Sequence, residues 1–225
     1  MMLLAKLLWV LVPFLQDDVS RWIEQLGSDS IAQREAAQVQ LRRRLGSEAL
    51  RTRLEQLEKD GDPERAARAR ELLSWFRPST SDAGVGLKLA AAVRPEGAVD
   101  LTVTLTLAQG QGACQVADPN YWNNWKYFVL EVLREDGSII ALPIKTTRSG
   151  EGFRGMVPAK VPLAPGQSRQ YSDGRVEGLS PGTYRWRLSS KAMEGAKGYE
   201  GRGPSELPAP KGAADVGVVT IPPTK

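Results

Sequence analysis

The chain changes character at Arg77. Residues 17–77 contain three glycines (Gly27, Gly46, Gly61) and a single proline, Pro63, whereas residues 78–225 contain 19 glycines and 13 prolines. The first stretch is rich in Arg, Glu, Leu, Ala and Gln, which lose little rotamer freedom in a helix. The second alternates apolar and polar residues between Gly and Pro punctuation, the pattern of short strands joined by turns. The expected fold class is therefore multidomain α+β: a small all-α module of helical pairs, then an antiparallel β-sandwich. The expected boundaries are an apolar N-terminal segment over 1–16, the helical module over 17–77, a linker over 78–84 and the β domain over 85–225.

Four helices follow from caps and periodicity. Val19, Trp22, Ile23 and Leu26 form one stripe, stopped by Gly27. Ser30 and Gln33 have the spacing of a capping box, ahead of Ala37, Leu41 and Leu45. Ser47 can cap a third helix with Leu50, Leu54 and Leu57 on its apolar face. Asp62-Pro63-Glu64 is a strong start signal: a cap, a proline at the first position and an acid at the positive end of the dipole. Ala66, Ala69, Leu73 and Phe76 line that fourth helix.

The β half is also readable. Val99, Leu101, Val103, Leu105 and Leu107 alternate with polar residues and predict a half-buried strand. Residues 127–133 are apolar on both faces except Glu131, which predicts a central strand. Asp136-Gly137 then predicts a hairpin with a tight two-residue turn. Residues 157–163 predict a proline-interrupted edge strand. Tyr184, Trp186 and Leu188 point one way, with Arg185 and Arg187 the other. Residues 214–221 close the domain with Val216, Val218 and Ile221. Seven or so short strands of this kind argue for a sandwich of immunoglobulin-like type.

Two stretches carry resemblances. Residues 28–76, through Ser30-Ile-Ala-Gln-Arg-Glu-Ala-Ala37, Leu41, Leu45-Gly46, Asp62-Pro63-Glu64 and Arg68 to Leu73, resemble the HEAT-like helical pairs of some exported bacterial proteins. That resemblance implies protein–protein contact along a packed helix surface. Solenoids of this kind bury a continuous core only with about three or more repeats, and about two pairs are present here. Residues 99–190, through the Tyr127 strand, Asp136-Gly137, Leu163-Ala-Pro-Gly166 and Ser180-Pro-Gly-Thr-Tyr184, are similar to the bacterial intracellular proteinase inhibitor family. That similarity implies a sandwich in which Tyr184 bonds back to upstream backbone as its ring fills the core. No inhibitory loop carries over residue by residue.

Composition narrows the chemistry. The chain has no histidine and one cysteine, Cys114. Histidine-dependent hydrolases, imidazole zinc sites, thiolate clusters, CxxC redox chemistry and internal disulfides are therefore excluded. A carboxylate pair, a Ser-Lys dyad or a calcium site remains open. Residues 17–77 hold 12 basic and 12 acidic side chains. Arg42-Arg43-Arg44 is the only dense basic cluster, and it reads as a solvated helix face and not as a nucleic-acid stripe. Lys6 followed by an apolar run from Leu7 to Leu15 is too short to span a membrane and fits the core of an export signal. No small-x-small cleavage site follows. A cleaved signal, an uncleaved anchor and an apolar first helix all fit.

One segment does not read as scaffold. Residues 110–125 form a long loop between core strands, carrying Tyr121, Trp122, Asn123, Asn124 and Trp125. Flat aromatic faces beside paired amides suit a sugar ring or a peptide; the same aromatics could instead cover a sheet edge. Cys114 reads as a small buried residue, since no neighbouring cation would activate it. The leading expectation is a non-catalytic exported protein of the periplasm or cell envelope. Its partner would be another protein or an envelope component, with membrane contact only through residues 1–16 if they are retained. It calls for no cofactor, metal or nucleic acid. The alternatives are a glycan-binding module using Tyr121 to Trp125, a protease inhibitor, and an enzyme built on carboxylates or a Ser-Lys pair.

Overall fold

The computed structural model describes residues 18–119, 124–147, 160–190 and 212–223. The fold is α+β, with helices first and mostly antiparallel strands after. It divides into two units. The export-signal segment lies outside the described residues.

The first unit contains the helices and, from further along the chain, residues 133–139. Helix α1 covers residues 18–25, and α2, α3 and α4 are Ile31–Arg42, Glu48–Leu57 and Pro63–Leu73. Each later helix begins where its cap dictates. Ser47 Oγ accepts from Leu50 N–H, and Asp62 accepts from Glu64 and Arg65 N–H with Pro63 opening the helix. Ser30 accepts from Gln33 N–H, but the box is not reciprocal. The Gln33 side chain accepts from Ser28 Oγ (2.6 Å), which itself accepts from Ser30 N–H (3.2 Å). Trp22, Leu26, Ala37, Leu41, Leu45, Leu50, Leu54, Leu57, Ala69, Leu72, Leu73 and Trp75 form one core, which Leu133 joins. The Arg42-Arg43-Arg44 run is spent on local contacts. Arg42 pairs with Glu71, Arg43 donates to Asp136 O (2.8 Å), and Arg44 lies over the Trp22 ring.

The turn at residues 134–138 differs from the expected two-residue loop. Gly137 N–H donates to Arg134 O (3.0 Å) and Arg134 N–H to Ser138 O (2.9 Å). Gly137 has φ +80°, and among the described residues only glycines have positive φ. A two-residue turn at Asp136-Gly137 would need positive φ at both. The chain instead makes a three-residue loop, Glu135-Asp136-Gly137, with glycine alone in the left-handed region. Asp136 Oδ1 accepts from Ser138 N–H, fixing the loop further.

Among the described residues the second unit contains ten strands: β1 Val85–Val93, β2 Val99–Leu107, β3 Cys114–Ala117, β4 Phe128–Leu133, β5 Ile139–Leu142, β6 Lys145–Thr146, β7 Lys160–Leu163, β8 Ser168–Val176, β9 Gly182–Ser190 and β10 Ala214–Ile221. The ends of β4 and β5 group with the first unit. One sheet has the order β1-β2-β8-β6, a second β10-β9-β4-β5, and β3 pairs with β7 in a small third. The inward residues of all three share one core. β2 has the predicted bounds and alternation, and β4 lies between β9 and β5. The predicted edge strand is β7; residues 157–159 lie outside the described residues.

Three findings depart from expectation. β1 and β8 are strands that periodicity did not reveal. The segment 78–84 bonds into this unit: Ser79 pairs with Ala214, and Ser81 bonds to Val85 through both backbone and side chain. On β10 the inward phase is Asp215, Gly217, Val219 and Ile221, leaving Val216 half-buried and Val218 56 % exposed. The Trp186 ring sets that phase. It occupies the space that a Cβ on Gly217 would need, so only a residue without a side chain fits inward there.

Candidate functional site

The best-defined polar site in the second unit grows from a bulge in β8. Leu101 faces Gly174, but Val103 faces Tyr171. Thr102 of β2 is thus opposed by two residues, Ser172 and Asp173, and the extra residue re-aims a side chain. Ser172 turns to solvent, and Asp173 turns inward to 8 % exposure. Gly174 follows, and the Trp125 indole lies against it; a Cβ there would overlap the ring.

The Asp173 carboxylate is engaged at both oxygens. Trp125 Nε1–H donates to Oδ1 (2.9 Å), and Thr146 Oγ1–H donates to Oδ2 (3.1 Å). The Asp173 carbonyl accepts from Thr147 N–H (2.7 Å) and Thr147 Oγ1–H (3.2 Å). A buried carboxylate survives because donors surround it. Around it the aromatic rings tile the core: Trp125 lies 5.6 Å from Phe128, and Phe128 meets Tyr171 edge-on at 5.2 Å. With both oxygens bonded to protein donors, this carboxylate holds Trp125 and β6 in place.

Trp125 is 3 % exposed. Its ring is thus a core element of this structure and not an open face. It belongs to a 3₁₀ turn, Asn124–Tyr127, which Asn124 opens. Tyr121, Trp122 and Asn123 lie outside the described residues. On the N-terminal side of that segment, Cys114–Ala117 is not loop but β3, paired with β7 from Cys114↔Leu163 to Ala117↔Lys160. Val116 and Asp118 are buried. Asp118 before residues 120–123 and Trp125 after them are both buried.

Burial and ion pairing set the ionisable groups of this region. Cys114 is fully buried, and burial pushes its thiol above the ordinary range, away from the nucleophilic thiolate. Burial also pushes the Tyr171 phenol well above its usual value, aided by the negative charge of Asp118. On the outer face, hydrogen bonds from Arg175 and then Arg94 hold the Asp100 carboxyl below the usual range. Glu131 pairs with Arg187 and Glu177 with Lys145. Among the described residues no group of three potential ligands converges on a metal position. No described helix is long and apolar enough to cross a membrane.

Asp173, Thr146 and Asp118 were not singled out by sequence. The pair Asp173-Gly174 looks like a turn, which masks the strand that contains it. Neither a scan against protein-family models nor a comparison with curated proteins finds a match to this chain.

Proposed function

We propose that this chain is a non-catalytic, exported binding protein. Its second unit would be an immunoglobulin-like sandwich, and its contact surface would include Tyr121, Trp122 and Asn123. The observation that carries this reading is the strand order. β1-β2-β8-β6 beside β10-β9-β4-β5 matches the order A-B-E-D beside G-F-C-C′ of such sandwiches. Tyr184 supports it: its hydroxyl donates to Ser180 O (3.0 Å), four residues upstream at the entry to β9, as a tyrosine corner does. In that frame Tyr121, Trp122 and Asn123 fall in the B–C connection. Residues 191–211 fall in the F–G connection. Variable domains bind through these two connections. The capped helices of the first unit support a HEAT-like pair module, whose role would also be contact. Export rests on the Lys6-to-Leu15 pattern.

Cell fractionation with N-terminal sequencing of the mature chain tests the export half. Recovery in the envelope or periplasm supports it, and recovery only in the cytosol overturns it. A tryptophan-fluorescence titration with oligosaccharides tests a glycan partner. A response abolished by Trp122→Ala would redirect the assignment from protein to sugar.

A further inference from the structure

Sheet edges are where β proteins acquire unwanted strands, and among the described residues of the second unit β1 and β10 each end a sheet. The backbone bonds show which groups each strand turns outward. Ala214 exchanges both of its backbone bonds with Ser79 (2.9 and 3.0 Å). By the two-residue alternation, Val216, Val218 and Thr220 then also direct N–H and C=O away from β9. On β1, Arg94 N–H bonds to Ala98 O and Ala108 N–H to Gly84 O. The even-numbered residues of β1 therefore bond to β2, and Leu87, Leu89, Ala91 and Val93 turn their backbone N–H and C=O away from it.

Asp215 stands between these two edges. One carboxylate oxygen accepts from Leu89 N–H of β1 (2.8 Å), and the other accepts from Val216 N–H of β10 (2.9 Å). A single side chain thus occupies one outward amide on each sheet. Beyond Asp215, β10 runs Val216-Gly-Val-Val-Thr-Ile221, six residues with no charge, ended by Pro222-Pro223. Uncharged, β-branched segments of six or seven residues are those that self-pair, and a charge or proline at their flanks is the usual guard. Val218, in the middle of the run, is 56 % exposed.

We propose that Asp215 is an edge lock. It ties β1 to β10 across the seam between the sheets and prevents β10 from pairing antiparallel with β10 of a second copy of this chain. The test is Asp215→Ala in the full chain, read by amide exchange and by light scattering across a concentration series. Leu89 and Val216 amides are expected to exchange roughly tenfold faster, the factor set by losing one charge-assisted hydrogen bond each. The variant is also expected to associate with rising concentration, and adding Val218→Pro should return it to the wild-type state. Residue 218 turns its N–H outward, so proline there removes no ladder bond and blocks an added strand. Unchanged exchange at both amides overturns the proposal. So does a variant whose light scattering stays at the wild-type value across the series, or association that Val218→Pro does not reverse. Asp215→Asn preserves side-chain volume and serves if the alanine variant does not fold. With only one acceptor oxygen it should free one of the two amides, and protection retained at both overturns the proposal.

Discussion

Replacing Asp173 with alanine would remove the acceptor for one buried donor and one half-buried donor at once. Trp125 Nε1–H (2.9 Å) and Thr146 Oγ1–H (3.1 Å) both lose this acceptor. A bond to a charged group contributes about 1.5–3 kcal/mol, and an orphaned buried donor costs about 1–3 kcal/mol. Against this, removing a buried carboxylate relieves its own desolvation, and the Thr146 hydroxyl can rotate toward another acceptor. The indole N–H cannot. The net loss should be about 3 kcal/mol. Asp173→Asn should cost about 1 kcal/mol, because its carbonyl still accepts from Trp125 and the Thr146 hydroxyl can accept from its amide. Urea denaturation of the full chain followed by tryptophan fluorescence gives these values. A double-mutant cycle with Trp125→Phe isolates the indole bond, with an expected coupling of about 1–2 kcal/mol. A cost under about 1 kcal/mol for Asp173→Ala, below a single such bond, would overturn this role for Asp173. Zero coupling to Trp125 would refute it equally.

Three further outcomes rest on the geometry. Gly137→Ala puts a Cβ 2.5 Å from Val39 O at a φ of +80°. It should destabilise the first unit by about 2 kcal/mol, seen as loss of helical ellipticity at lower urea. Cys114, buried and with its thiol pushed up, should resist Ellman's reagent in the native chain and react on unfolding; rapid native labelling would contradict its placement. Asp100 is held below its ordinary value by Arg175 and Arg94, so its pairing stabilises the fold fully above about pH 4 and less as pH falls through the lowered value. Asp100→Asn should therefore lower stability at pH 7 and flatten the acid limb of the stability–pH curve.

Legibility in the sequence tracked how far local chemistry decides structure. The Asp62-Pro63-Glu64 start, the Leu50, Leu54, Leu57 stripe and the β2 alternation are local signals, and the elements sit where those signals point. β8 was hidden because its inward residues are Tyr171, a bulge and Val176. A bulge breaks period two, and the Asp-Gly pair within it imitates a turn. The phase of β10 was hidden for a related reason. Valines occupy both faces, and the choice is made by the distant Trp186 ring and by the Asp215 bond to Leu89. The same limit applied to Trp125. Sequence grouped it with Tyr121 and Trp122 as an aromatic face. Its partner Asp173 lies far along the chain, and that pairing puts the indole in the core.

The proposed contact function runs through Tyr121, Trp122 and Asn123. Its most direct test is retention of native-envelope components on the immobilised full chain, compared with a Tyr121→Ala, Trp122→Ala, Asn123→Ala variant of equal stability. A saturable protein partner is expected on the wild-type chain, released by free chain and absent from the variant. Identical retention by both chains, or turnover of an envelope substrate that the variant also performs, would contradict it.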